Sequence, residues 1–446
     1  MKLSEYIADK HNNKPTWFVD ECSSFTAQQR VMDILNKKEY LSGQHNILKR
    51  PNEQFNGKEF VSRKIVLNYA KTLINFQSMF LLRNNVTLSG SEAVVKEYKR
   101  IYKKGKFHRQ NENICDSVIK YGNCYEYLYF DGGVIKSKLI KPEDGYPVFD
   151  DENNYIAFIE HYTVDSVSYY YIYTPDTVEK WTDRGGELKL VGSYRNLSGL
   201  PIRYKSQNEL DDQYGRSDLD DYINILDNME DLISKSVDAF YKYITGMPVL
   251  KGQTLKGESL PVHTVGGGIV IDTDADFKFE QNQFDYKAFE ALYKTLMQAL
   301  LDVSCTPAVS INKTDVSNLS EVSIKLLFSL AEIKASLNER YMRDGIEERH
   351  EQIRKMLEYQ GITFDDDDFD TLDVVFVFNT PQNAKEIIEN LQMLDSMGAI
   401  SLQSILEQNT YIHDVVQEMD RIRSDTRKQN VDNDTNDNTI YSDSES

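Results

Sequence analysis

Gly215-Arg216-Ser217-Asp218-Leu219-Asp220-Asp221-Tyr222-Ile223-Asn224-Ile225-Leu226-Asp227-Asn228-Met229-Glu230 opens the stretch whose reading decides the fold, and that stretch continues to Gly361. Ser217 is placed to cap a helix, and Asp218, Asp220 and Asp221 complement its positive first turn. Leu219, Tyr222, Leu226, Met229, Ile233, Val237, Phe240 and Ile244 recur at steps of three and four, which predicts one buried helical stripe. Gly246 and Pro248 end it. After a small β-containing insert, Phe289, Tyr293, Leu296, Leu300 and Val303 repeat the stripe until Thr306-Pro307 stops it. A polar link from Asn312 to Asn318 follows. Leu319, Val322, Leu326, Leu330, Ile333, Leu337 and Tyr341 then restart the same buried pattern. This last helix can reach Tyr359, a length of roughly 60 Å at 1.5 Å per residue, and Gly345 is its expected bend.

Working outward, 446 residues can bury substantial cores and point to two to four domains or one extended modular subunit. Met1-Lys2-Leu3-Ser4-Glu5-Tyr6 lacks the apolar core of a secretory signal. Leu73 to Leu82, among the longest apolar runs, contains Asn75 and Gln77 and falls far short of the ~20 residues needed to cross a bilayer. A soluble protein made in a cytoplasm is the expectation. Cys22, Cys115, Cys124 and Cys305 show no paired spacing, so reduced thiols are expected. A formal charge of −20 argues against adhesive nucleic-acid binding, although DNA can pass an acidic surface without sticking.

The first sixty residues read as polar, broken at Gly43, Pro51 and Gly57. Helices are expected over Val61 to Leu82, Ala93 to Tyr102 and Asn113 to Tyr121. Lys96, Lys99, Arg100, Lys103, Lys104, Lys106 and Arg109 form the clearly basic segment, read first as a solvated helix face with a loop, the alternative being contact with an acidic neighbour or nucleic acid. Cys124 to Phe130 alternates, turns at Asp131-Gly132-Gly133 and returns as Val134 to Ile140. Strands over Ile156 to Val164 and Val167 to Tyr173, and a hairpin from Trp181 to Tyr194, extend the meander. Asp365 to Asp370 is an acidic turn ahead of a strand at Val374 to Phe378. It lacks the glycine and glutamate of a calcium loop, so no metal site is assigned. Asn383 to Met397, Ser401 to Gln408 and Asp414 to Arg423 read as helices, and the Asn-, Asp- and Ser-rich end as a disordered tail. The fold class is α+β.

No segment carries catalytic chemistry. Gly252 to Ser259 has two glycines at phosphate-loop spacing, but Glu258 stands where a lysine must meet the phosphates. Gly266-Gly267-Gly268 lacks the third glycine of a dinucleotide fingerprint. The seven histidines fall outside zinc-ligand spacings. Neither an enzyme nor a cofactor is expected. The order helix, small β insert, helix, polar loop and very long helix suits a subunit that lines a channel better than a compact enzyme.

That order resembles the portal proteins, the head-to-tail connectors of tailed double-stranded-DNA bacteriophages, in the branch of long-tailed phages of Gram-positive hosts. Four segments carry the resemblance. Cys115-Asp116-Ser117-Val118-Ile119-Lys120-Tyr121-Gly122-Asn123-Cys124-Tyr125-Glu126-Tyr127, with Ile140-Lys141-Pro142, is similar to the family's helix, glycine turn and hairpin. Gly215-Arg216-Ser217-Asp218-Leu219, leading through Ile225-Leu226-Asp227 and Ser234 to Phe240, resembles its stem helix. Ser304-Cys305-Thr306-Pro307 and Ser320-Glu321-Val322-Ser323-Ile324-Lys325 resemble the flanks of its tunnel loop, where the glycine common in relatives is missing. Met397-Gly398-Ala399-Ile400-Ser401, then Asp414 to Arg423 with Glu418 and Arg421-Ile422, resembles its carboxy-terminal helices.

The resemblance implies a wing over 1–215, a first stem helix over 216–245, a clip over 246–283 and a second stem helix over 284–305. It further implies a tunnel loop over 306–318, a long helix over 319–360 joining tunnel to wing, and a strand over 361–380 returning to the wing. A helical crown over 381–425 and an acidic disordered tail over 426–446 complete the division. Asn312, Lys313, Thr314, Asp315, Val316, Ser317 and Asn318 become the DNA-facing loop. Asp220, Asp227, Asp231, Lys235, Asp238 and Lys242 become channel-lining candidates, and Lys251, Lys256, Glu258 and His263 clip contacts. Twelve chains of 51.6 kDa would close a ring of about 620 kDa at one capsid vertex. The implied partners are this chain itself, the terminase large subunit, a head-completion or adaptor protein, scaffolding and major capsid proteins, and double-stranded DNA read without sequence specificity; no membrane is involved. Assembly would occur in the host cytoplasm and the mature location would be the virion. The competing expectation is a helical scaffold or interaction protein without a portal role, which would show an uninterrupted heptad.

Overall fold

A computed structural model describes residues 1–55, 58–243, 247–251, 276–280, 285–308, 321–379, 384–408, 418–419 and 421–422. It divides into two compact units, Met1–Ala308 with Leu330–Asn379, and Val309–Ser329 with Thr380–Ser446.

The larger unit opens with α1 (Leu3–His11), α2 (Trp17–Ser23) and α3 (Phe25–Leu41), where the sequence predicts polar chain with short apolar clusters and no helix. The small hairpin β1 (Glu53–Phe55) and β2 (Lys58–Phe60) precedes α4 (Tyr69–Leu82), β3 (Thr87–Ser89), α5 (Glu92–Gly105) and α6 (Phe107–Tyr121). Eight strands follow: β4 (Asn123–Asp131), β5 (Val134–Ile140), β6 (Gly145–Phe149), β7 (Tyr155–Val164), β8 (Val167–Tyr173), β9 (Thr177–Thr182), β10 (Lys189–Arg195) and β11 (Ile202–Lys205). Then come α7 (Leu219–Tyr243), β12 (Met247–Lys251), β13 (Asp276–Glu280), α8 (Tyr286–Val303), α9 (Glu321–Tyr359), α10 (Asp366–Phe369) and β14 (Asp373–Val375). The smaller unit takes the first residues of α9, with α11 (Ala384–Ser396) and α12 (Leu402–Gln408). The expected α+β fold is the one that forms.

Two antiparallel sheets make the body of the larger unit, one ordered β10-β9-β8-β7-β6 and the other β11-β4-β5. Alternate residues of β7 and β8 point to opposite faces, as the pleat requires. Ile159, Tyr170 and Ile172 meet Tyr6, Trp17 and Phe18 from the amino-terminal helices. Phe158 and Tyr173 meet Tyr125, Tyr127 and Ile140 of the smaller sheet. Of the tyrosines at 169, 170, 171 and 173, Tyr170 thus packs into the first core and Tyr173 into the second, with Tyr171 partly buried beside it.

The long helix runs 39 residues, as expected, and Gly345 is where another element comes close to it. A Cβ there would lie 2.1 Å from the Tyr204 ring, and the Tyr204 hydroxyl donates to the Gly345 carbonyl at 3.1 Å. The glycine lets strand β11 touch the helix backbone. Its apolar pattern also needs correction: α9 has two apolar faces. Ala331, Ala335, Met342 and Ile346 are buried, whereas Leu330, Ile333 and Leu337, on the stripe expected to be buried, are exposed. In the smaller unit's share of the helix, Ile324 and Phe328 are buried while Val322 and Leu326 are exposed.

Arg349 and Glu126 form a fully buried ion pair at 2.8 Å between α9 and β4. Arg349 also donates to Asn111 at 2.6 Å, and Tyr204 and Ser137 donate to the Glu126 carboxylate. Next along the helix, His350 Nε2 lies 2.8 Å from the Tyr102 hydroxyl, and its carbonyl accepts from Tyr98. Burial and the Arg349 charge hold the His350 imidazole down to about 3, so it is neutral.

Removing one member of the buried pair strands the other charge, so Arg349→Ala should cost about 3–5 kcal/mol in denaturant midpoint measurements. The imidazole gives a pH signature with a definite sign. Its folded pKa lies below its unfolded value, so its contribution is complete above about pH 6.5 and falls as pH drops toward 3. Wild-type protein should lose about 2 kcal/mol between pH 6.5 and 5 from this group. His350→Gln should be flatter over that interval, and equal slopes would exclude the histidine as the cause.

Candidate functional site

The sequence places its functional expectations on α7, α8 and the links around them. The entry to α7 is a joint between two distant segments. Gly122, at φ +80, follows α6, and a Cβ on it would lie 2.4 Å from the Gly215 carbonyl oxygen. The Gly215 N–H donates to Asn123 at 3.0 Å. Ser217 donates to the Lys120 carbonyl at 2.6 Å and accepts the Leu219 N–H at 3.1 Å, so it caps α7 as expected. Asp218 N–H meets the Ile119 carbonyl, and Lys334 of α9 reaches the Asp218 carboxylate at 2.8 Å. Burial raises the Asp218 pKa despite that lysine.

Residues 62–68, expected to be helical, run extended along α7 instead. Arg63 N–H donates to Asp238 at 2.9 Å, Ile65 N–H to Ser234 at 3.0 Å and Leu67 N–H to Glu230 at 2.7 Å. The two repeats match: four helical residues rise about 6 Å, and two extended residues span about 6.7 Å. Side chains of the helix thus replace the ladder that a neighbouring strand would give. His45 adds a 2.6 Å contact to Glu230, and Arg50 a 3.1 Å ion pair to Asp238. The Glu230 carboxyl is raised, by burial first. A run of acceptors at four-residue spacing beside the apolar stripe was the available signal for this strap.

These contacts sort the channel-lining candidates. Asp238, expected on an open face, is only 9% exposed and faces the strap. Asp227 is half-buried and accepts from Asn46 at 2.8 Å. Asp220 is exposed and pairs with Lys37 at 3.0 Å. Asp231, half-buried, and Lys235, exposed, pair with each other at 2.7 Å. The apolar stripe holds over Leu219, Tyr222, Leu226 and Met229 and then fades, for Phe240 is exposed. On α8, Met297, Leu300 and Leu301 are buried while Val303 is exposed. Gln77 of α4 donates to the Ser304 carbonyl at 3.0 Å, fixing the end of α8.

The insert between the helices begins and ends as an antiparallel pair, β12 with β13, and Lys251 there is exposed. Lys242 has no described side chain. Lys256, Glu258, His263 and the whole loop from Asn312 to Asn318 lie outside the described residues. Asp365 to Asp368 and Asp370 are exposed, with Asp366 paired to Arg354. Among the described residues no group of three or more His, Cys, Asp or Glu side chains could hold a metal ion, and no helix is long and apolar enough to cross a membrane.

Ser234→Ala should leave the Ile65 N–H without its acceptor and cost about 1–3 kcal/mol. Hydrogen exchange of that amide should quicken more than exchange of the β7 and β8 amides; a uniform change would mean that the strap is not a separate fastening.

A family model described as phage portal protein, SPP1 Gp6-like, matches residues 26–432. No curated protein matches the chain. Among solved structures, a chain in the virion of a native gene transfer agent particle is 14% identical, with 75% of this chain and 89% of that chain covered and a TM-score of 0.43. A chain from the neck of an empty particle of that kind, computed with C6 symmetry, is 12% identical over 74% and 86% of the two chains, with a TM-score of 0.44. A chain from the neck of the native particle, computed with C12 symmetry, gives 13%, 76%, 89% and 0.41. Because the family model spans nearly the whole sequence, from the third helix into the carboxy-terminal region, the chain belongs to the phage portal protein family.

Proposed function

We propose that this chain closes into a ring-shaped channel at one capsid vertex, through which the terminase motor packages double-stranded DNA and from which the DNA is later ejected. Family membership supports the portal role. The observation that carries the ring is the outer face of α9 in the larger unit, where Leu330, Ile333 and Leu337 stand exposed beside the buried Ala331 and Ala335. Ile333 keeps 58% of its surface in water. Covering such side chains is worth roughly 1 kcal/mol or more each. A head-to-tail contact repeated around a closed ring covers one face of every subunit.

In this reading 1–215 is the wing, 216–245 and 284–305 are the stem helices, 246–283 is the clip and 306–318 the tunnel loop. The helix over 319–360 and the strand over 361–380 return to the wing, and 381–425 form the crown. Asn312 to Asn318 face the moving DNA. The clip, with Lys251, meets the motor during packaging and a head-completion protein afterwards. Scaffolding and major capsid proteins surround the vertex. On α7 Asp220, Asp231, Lys235 and Lys242 stay as channel-facing candidates, whereas Asp238 is buried against the strap and Asp227 is half-buried beside Asn46.

Electron microscopy of the purified chain should show rings with a central hole, twelve-fold in the assembled particle. Ile333→Asp should reduce the light-scattering mass from ring to monomer while leaving the circular-dichroism spectrum unchanged. Monomeric wild-type protein at micromolar concentration, or rings of undiminished mass from the variant, would overturn this assignment of the face.

A further inference from the structure

From Tyr98 to Asn111 there is no acidic residue, yet Lys99, Arg100, Lys103, Lys104, Lys106 and Arg109 crowd this stretch of a chain whose formal charge is −20. The fold turns every apolar member of the stretch inward, for Tyr98, Ile101, Tyr102 and Phe107 are buried. The cations are all left in water. Arg100 pairs with Glu97. The other five form no ion pair among the described residues. Lys106, at φ +58, joins α5 to α6 and carries the basic surface on to Arg109.

A helix dipole explains only part of this. It favours cations in the last turn of α5, where Lys103 and Lys104 lie. It does not call for Lys99 before that turn, nor for Lys106 and Arg109 after it.

We propose that Lys99, Lys103, Lys104, Lys106 and Arg109 form a phosphate-contacting surface for double-stranded DNA, separate from the loop at Asn312 to Asn318. Protein partners are anchored by aromatic, apolar and arginine side chains, and lysine is depleted at their interfaces. This surface offers four lysines, one arginine and no exposed apolar residue between them. Sequence-independent binding to a duplex needs only cations against phosphates. Lys99 to Lys104 alone span about 7.5 Å of α5, a length of duplex axis carrying about two phosphates per strand, and Lys106 and Arg109 carry the surface on to α6.

Glu112, one turn past Arg109 on α6, is a single carboxylate against five cations and leaves the patch basic. Charges farther away than about 8 Å are largely screened at physiological salt. The nearest acidic cluster, around α10, meets the other half of α5: Phe364 and Phe369 pack on Tyr98 at 6.4 and 6.2 Å, and Thr371 abuts Gly90. Lys103 and Lys104 lie roughly 8–9 Å beyond Tyr98 along α5.

The proposal rests on the portal reading for the presence of DNA, and the two fail separately. Fluorescence anisotropy of a labelled mixed-sequence 30-base-pair duplex is read against the full chain from 50 to 300 mM KCl. Ring formation is scored in the same samples by microscopy. Wild-type protein should bind at 50 mM and lose affinity steeply with salt. A variant with Lys99, Lys103, Lys104 and Lys106 each changed to Gln should bind at least tenfold more weakly, its log–log salt slope smaller by about 3–4. No binding by wild-type protein at 50 mM, an unchanged slope in the variant, or tighter binding of polyglutamate than of the duplex would overturn the proposal whether or not rings are present.

Discussion

A guanidinium and a carboxylate with no exposure to water, Arg349 on α9 and Glu126 on β4, fix the middle of the longest helix to the sheet body. Such a pair is tolerated only when its remaining hydrogen-bonding capacity is met and its geometry is tight. Asn111, Tyr204 and Ser137 supply much of that, each from a different element. Three elements must therefore be in register with α9 before the charges can be buried. Tyr204 reaches its place only because Gly345 has no side chain. Apolar packing would stabilise the same contact about as well, but it would tolerate a slip along the helix; the polar network does not.

The second long helix is fastened differently. At its start, α7 abuts the α6–β4 turn through the Gly122–Gly215 approach and the Ser217 bond to Lys120. Along its length, the strap at 62–68 is bonded to three side chains one turn apart. Two of the four family-like segments of the sequence, 115–127 and 215–219, are thus the two halves of one joint. Ninety residues separate them, and the reason for each glycine is visible only with its partner beside it.

How much of this was legible follows from where each signal sits. The helical periods, the hairpin turns and the cap at Ser217 are local, and the structure carries them nearly where the residues put them. The amino-terminal helices were missed because their apolar residues are sparse and gain their partners from β6 to β8. The strap was misread because Val61 to Leu82 has helical spacing, while the acceptors that hold residues 62–68 extended come from α7. The long helix was read with one stripe because periodicity reports apolar positions, not which of two faces the subunit covers. The pairing of Arg349 with Glu126 left no local trace. Of the site, the loop and most of the clip candidates lie outside the described residues, while the α7 candidates could be sorted.

That sorting changes what the net charge means. Read from the sequence, the acids of α7 were a repulsive lining for DNA. In the fold, Asp218, Glu230 and Asp238 hold Lys334, His45, Arg50 and the strap N–H groups. The charges of Asp218 and Asp238 are matched within the subunit by Lys334 and Arg50 and act over a short range. Meanwhile the cations of α5 are left without ion partners among the described residues except at Arg100. A passing duplex meets one face at a time, so a chain of charge −20 can repel it along one helix and hold it along another. The sign that matters is the sign of each exposed face, and that is decided by which charges the fold has already paired.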